Sequence, residues 1–120
     1  MNRLRLRRSV AAVLAGAVIL AGLAAGRPAR AEEPQEVVIT FKDHKVIPDR
    51  LKLPAGRKFK FIVRNEDAAA EEFESVRLNR EKVVPAGGQI VVLVGPLSPG
   101  VYDYFGDFHP ETAQGELTVE

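Results

Sequence analysis

The chain has no cysteine, and its only methionine is Met1. No disulfide can staple the fold, although an exported compartment would permit one. Soft sulfur ligands are absent too, so a metal site here must be built from nitrogen and oxygen, which disfavours Cu(I) and favours harder or borderline ions. Histidines are scarce, with His44 and His109 making up the whole supply. There is no Gly-rich phosphate loop and no His-Glu-x-x-His pattern, and Ser75 and Ser98 have no histidine beside them in sequence. Hydrolytic chemistry therefore has little to work with.

One long apolar run does exist, from Val10 to Gly26, behind Arg3, Arg5, Arg7 and Arg8 and ahead of Ala29-Arg30-Ala31. A basic start, an apolar middle and a small-x-small end make a secretory signal peptide. The reading is a signal over 1–31 that is cleaved, and a soluble periplasmic domain over 32–120. Six of the seventeen basic residues precede that cut and none of the sixteen acidic ones does, which leaves eleven against sixteen, a net charge of −5. A mildly acidic domain does not neutralise phosphates, so no nucleic-acid partner is expected. An acidic surface suits a cation or a basic partner instead.

Eighty-nine residues suffice for one domain. Its apolar residues recur at period two between Pro- and Gly-rich turns, with no convincing helical stretch. Val37 to Phe41 reads as a first strand, and Leu51 and Leu53 lead into the turn Pro54-Ala55-Gly56. Phe59, Phe61 and Val63 alternate with Lys58, Lys60 and Arg64, apolar inward and charge outward. A polar loop from Asn65 to Glu71 follows, and Val76 and Leu78 resume the alternation. Ile90 to Val94 is continuously apolar, as a strand covered on both faces would be. Tyr102, Tyr104, Leu117 and Val119 belong to the last two strands. The expected fold is an all-β sandwich or barrel of seven or eight strands.

Both histidines sit where strands give way to loops, with Asp43, Asp107 and the run Glu71-Glu72-Phe73-Glu74 around them. Glu72 and Glu74 share parity with Val76 and Leu78, which predicts that they point toward the core side of their strand. A carboxylate aimed inward must be paired, hydrogen-bonded or metal-bound. The candidate metal ligands are His44, Glu72, Glu74 and His109, with Asp107 as a supporting partner or extra ligand. The choice among Glu71, Glu72 and Glu74 stays open.

The segment Tyr102-Asp103-Tyr104-Phe105-Gly106-Asp107-Phe108-His109, followed by Gln114-Gly115-Glu116-Leu117-Thr118-Val119, resembles the ending of a cupredoxin, a Greek-key β-sandwich or barrel. The upstream stretch Val46 to Gly56, with Pro48, Leu51 and Leu53, resembles that family's second-strand signature. The resemblance puts Gly106 at the copper-cysteine position, His109 at the following histidine and Gln114 at the axial position. It puts the family's first histidine near Glu71 to Glu74. Without a thiolate there is no type-1 blue copper site. Asn65-Glu66-Asp67, Glu72-Phe73-Glu74-Ser75, Leu78 to Val83, Gly95-Pro96-Leu97 and Phe105 to Pro110 are similar to the cupredoxin-like domain of periplasmic Efe/Ftr-type bacterial iron-uptake proteins.

That resemblance implies a metal-binding protein holding copper (Cu2+) and/or iron. Its implied partners are an iron permease or other components of a ferrous-iron uptake system, which it would serve in iron oxidation or delivery. It also implies that the loops holding His44 and His109 lie at one end of the fold. An accessory ferroxidase role is the only enzymatic expectation. The alternatives are an electron carrier and a metal-free sandwich that docks on another protein.

Overall fold

The computed structural model describes residues 33–120, so the segment read as an export signal, 1–31, lies outside the described residues. Alternation of apolar and polar side chains produces nine strands there: β1 (Gln35–Lys42), β2 (Lys45–Ile47), β3 (Arg50–Leu53), β4 (Phe59–Asn65), β5 (Glu71–Ser75), β6 (Arg80–Val84), β7 (Gln89–Val94), β8 (Gly100–Gly106) and β9 (Gln114–Val119). They form a four-stranded sheet in the order β2-β1-β4-β7 and a five-stranded sheet in the order β3-β9-β8-β5-β6. The all-β expectation holds. The count exceeds eight partly because a tight turn at Asp43-His44 folds β2 back on β1, pairing Lys42 with Lys45.

Phe41, Phe59, Phe61, Phe73, Tyr104, Ile39 and Leu117 fill the space between the sheets, each fully buried. Burying each contributes about 1.5–3 kcal/mol. Phe73 lies at the centre, edge-on to Phe61 with ring centroids 6.5 Å apart and stacked on Tyr104 at 6.2 Å. The Tyr104 hydroxyl donates to the Pro48 carbonyl. This aromatic column decides which way β5 faces.

Two expectations fail, each for its own reason. Ile90 to Val94 is not covered on both faces: β7 ends the four-stranded sheet, with Val92 and Val94 buried and Val91 and Leu93 exposed. The phase of β5 is also opposite to the one expected. Glu71, Phe73 and Ser75 point inward, whereas Glu72 and Glu74 are half-exposed. Val76 is 77% exposed and stands in the turn before β6, so its parity carries no information about the strand. Tertiary packing of Phe73 overrides the apolar count.

Candidate metal centre

His44 owes its place to an unusual turn. Asp43 and His44 have φ of 55° and 58°, the pair of left-handed residues that a two-residue hairpin of this twist requires. Neither is glycine, so the turn needs outside support. The Asp67 carboxylate gives it, accepting from Asp43 N at 2.7 Å and His44 N at 3.1 Å. Asp67 is itself held by buried Asn65, whose Oδ1 accepts from Asp67 N at 3.0 Å. The Asn65 amide donates to the carbonyls of Ala69 and Val84. Loss of hydration acts to raise the Asp67 carboxyl, but the two N–H donors and the nearby His44 and His109 outweigh it and hold the group below its ordinary value.

His109 sits in the loop between β8 and β9. Its N–H donates to Gly106 O at 3.1 Å, while Ala113 N donates to His109 O at 2.9 Å and to close the loop Gly106 N donates to Ala113 O at 2.8 Å. The two rings, far apart in sequence, meet with centroids 3.8 Å apart and planes tilted by 39°. Thr112 Oγ1 donates to the His44 carbonyl and ties the two loops together. Both imidazoles therefore stand at one end of the sandwich.

Behind His109 lies Glu71, only 2% exposed. Its Oε1 accepts from Glu72 N at 3.0 Å and Phe108 N at 2.9 Å, and its Oε2 lies 2.6 Å from His109 Nδ1. A buried carboxyl with two backbone N–H donors and an imidazole nitrogen against it is satisfied. Space for the carboxylate comes from Gly106, since a Cβ there would stand 2.6 Å from Glu71 Cδ.

The outward-facing acids make a second group. Glu72, Glu74 and Asp107 each place one carboxylate oxygen within 4.8 Å of the others. Asp107 N donates to Glu72 O at 2.8 Å, and Glu81 stands opposite Glu74 across the β5–β6 ladder. A hydrogen bond to the Glu81 carboxyl, lost hydration and the charges of Glu81, Asp107 and Glu74 push Glu72 up to about 7. Lost hydration and the charges of Asp107 and Glu81 raise Glu74 as well. These groups repel one another, and a bound cation would relieve them.

Of the residues named from sequence, His44 and His109 are brought together, and so are Glu72, Glu74 and Asp107. Neither imidazole is part of the carboxylate trio. The inward carboxylate that touches His109 is Glu71. Its signal was Phe73: taking the aromatic, and not Val76, as the inward residue turns Glu71 inward. Asp67 carries no comparable signal, because its partners are backbone N–H groups on a distant hairpin.

A family model for the cupredoxin-like domain matches residues 11–119. The chain belongs to the cupredoxin-like domain family. An uncharacterised protein of Rickettsia prowazekii is 48% identical over 84 residues, 70% of this chain and 67% of the relative. Among solved structures, auracyanin A, a blue copper protein of Chloroflexus aurantiacus, superposes with a TM-score of 0.64 at 15% identity, covering 73% of this chain and all of auracyanin. The metal-binding domain of the Cu(I)-exporting P-type ATPase CopA of Streptococcus pneumoniae, solved with Cu(I), gives 0.61 at 13% identity, covering 71% and 84%. At these identities the likeness is one of fold.

This cupredoxin-like domain does not fit a type-1 copper centre. It has no thiolate, and the volume a side chain on Gly106 would need is taken by the Glu71 carboxylate. A nitrogen and oxygen donor set is what it offers: two imidazoles at one end, and three carboxylates, Glu72 and Glu74 on the outward side of β5 with Asp107 in the turn after β8.

Proposed function

We propose that this cupredoxin-like domain is a periplasmic metal-binding protein that takes up Cu2+ or iron through imidazole and carboxylate donors. The observation that carries the reading is the meeting of His44 and His109, two borderline nitrogen donors from separate loops, with ring centroids 3.8 Å apart. Imidazole suits copper and iron, and oxygen donors suit harder ions. The trio of Glu72, Glu74 and Asp107 supplies the latter. Proteins that share the fold include a blue copper protein and a Cu(I)-bound metal-binding domain, which supports copper as one cargo.

The finer reading is that the ion serves a high-affinity ferrous-iron uptake system, delivered to an iron permease or oxidised on the way. It is supported by the similarity of Glu72-Phe73-Glu74-Ser75 and Phe105 to Pro110 to the Efe/Ftr-type domains. Calorimetric titration with Cu2+, Fe2+ and Mn2+ tests metal binding. The double variant His44→Ala/His109→Ala should weaken Cu2+ most, and Glu72→Gln/Glu74→Gln should weaken Fe2+ and Mn2+ most. Wild-type affinities no tighter than those of both variants would remove the proposal. Pull-down of the metal-loaded protein with the permease tests the finer reading by itself.

A further inference from the structure

A sheet that does not close on itself ends in strands whose outer N–H and C=O groups lack a ladder partner, and proteins guard such edges with charged residues, proline or very short strands. Among the described residues the edge strands are β2 and β7 on one sheet and β3 and β6 on the other. β2 is three residues long and carries Lys45, β3 carries Arg50 and Lys52, and β6 carries Arg80, Glu81 and Lys82. β7 has no such guard. Its six residues, Gln-Ile-Val-Val-Leu-Val, include no charge, no proline and no glycine, a composition that favours strand-on-strand addition. The direction of its free groups follows from the ladder. Asn65 N donates to Gly88 O at 2.8 Å, and in an antiparallel pair the bonded positions recur at every second residue. The bonded pairs are therefore Val63–Ile90, Phe61–Val92 and Phe59–Val94. The backbone groups of Gln89, Val91 and Leu93 face the open edge, in agreement with Arg80 Nε, which reaches Leu93 O there at 3.0 Å.

We propose that β7 pairs antiparallel with β7 of a second copy of this chain across a two-fold axis at Val91, joining two four-stranded sheets into one of eight strands. Such an interface is self-complementary by symmetry: the outward N–H and C=O groups of one edge meet the same set on the other. Centred on Val91, the pairing sets Val91 against Val91 and Gln89 against Leu93, with no charge on either strand to repel the other. Leu93 O accepts both its new partner and Arg80, since a carbonyl has two lone pairs. The outer face of the sheet favours this occupant and this register. Val38, Ile62 and Val91 stand side by side across β1, β4 and β7, and Val38 is 42% and Val91 40% exposed. The two-fold axis joins that row to its copy, so each Val91 gains an apolar neighbour on its open side. Gln89 lies beside Arg64, at the end of the sheet where β1 runs on toward His44. Antiparallel pairing sends the two histidine ends to opposite poles, so the dimer forms without any bound ion.

Val91→Lys and Val91→Glu each set like charges against one another across the axis, while in the single chain the new side chain faces solvent. Each variant should fold and lose the dimer. Mixed in equal amounts the two should recover it, because lysine then faces glutamate. Val101→Lys, at a site 42% exposed on β8 of the other sheet, should dimerise as the wild type does. Sedimentation equilibrium reads the mass of protein expressed from the full chain and purified as the cell processes it, and circular dichroism shows that the variants are folded. Hydrogen exchange reads the edge itself. The amides of Gln89, Val91 and Leu93 should slow as the wild-type concentration rises and stay fast in Val91→Lys. A wild type that remains monomeric up to about 1 mM overturns the inference and leaves the edge to a strand of another protein. A dimer that survives both single charges, fails to return in the mixture, or disappears in Val101→Lys overturns it as well, because the contact then lies elsewhere.

Discussion

The carboxylate of Glu71 stands in the space that any side chain on Gly106 would claim, with an ideal Cβ only 2.6 Å from Glu71 Cδ. Gly106 is buried and paired with Phe73 across the β5–β8 ladder, so neither backbone can give way easily. Gly106→Ala should therefore destabilise the protein by about 1–3 kcal/mol through overpacking. In the double variant Glu71→Ala/Gly106→Ala the two losses should fall short of additive by at least about 0.5 kcal/mol. Urea denaturation of the four proteins reads the coupling, and strict additivity would show that the two side-chain positions do not compete.

How much of this was legible beforehand depends on what each residue answers to. Period-two alternation in Phe59, Phe61 and Val63 is a local property, and it returned β4 with the right face inward. The two histidines were found because there are only two. The phase of β5 was not legible from Val76 and Leu78, because the turn between Ser75 and Arg80 breaks the period on which parity depends. Phe73 held the answer, but only its stacking on Tyr104 and Phe61 makes it the anchor. The division of the acids into one buried group and one exposed trio follows from that single rotation of phase.

The acidic trio should make stability fall as pH rises. In the folded chain Glu72 releases its proton near pH 7, held up first by the hydrogen bond to Glu81 and then by lost hydration and neighbouring charges. The unfolded chain releases it near 4.5. Between these values the folded state holds a proton that the unfolded state has lost, so this group's contribution declines through that window and is gone above it. Glu72→Gln keeps a hydrogen-bonding group and discards the charge. Measured by Tm against pH on chelator-treated protein, the variant should gain on the wild type between pH 5 and 8. A difference that is flat across the window would contradict this.

Asp67 should behave in the opposite sense. Its carboxyl is held below the ordinary value of 3.8 because the N–H groups of Asp43 and His44 and the neighbouring histidines outweigh lost hydration. Its stabilising contribution is present above 3.8 and lost as pH falls through the folded value. Asp67→Ala removes both acceptors from the hairpin and should cost about 1.5–3 kcal/mol at neutral pH, in the range for hydrogen bonds to a charged group. It should also weaken Cu2+ binding, because the turn that carries His44 to His109 loses its brace. A variant with wild-type stability and wild-type Cu2+ affinity would show that the hairpin holds itself.

His44 occupies a backbone conformation that side chains disfavour. At φ 58° a Cβ crowds the following carbonyl, which costs about 1–2 kcal/mol for residues other than glycine. If the histidine served the turn alone, glycine would serve it better. His44→Gly should therefore be more stable than His44→Ala by about 1 kcal/mol, because both lose the ring but only alanine keeps the strain. Both should lose Cu2+ affinity to the same degree, since the missing imidazole is common to them. Thermal denaturation and calorimetry on the pair separate the two effects. Stability recovered without binding means that the fold tolerates strain at position 44 in order to present a nitrogen donor beside His109. Equal stability of the two variants would mean that the turn carries no such strain, and the placement of His44 would lose its energetic argument.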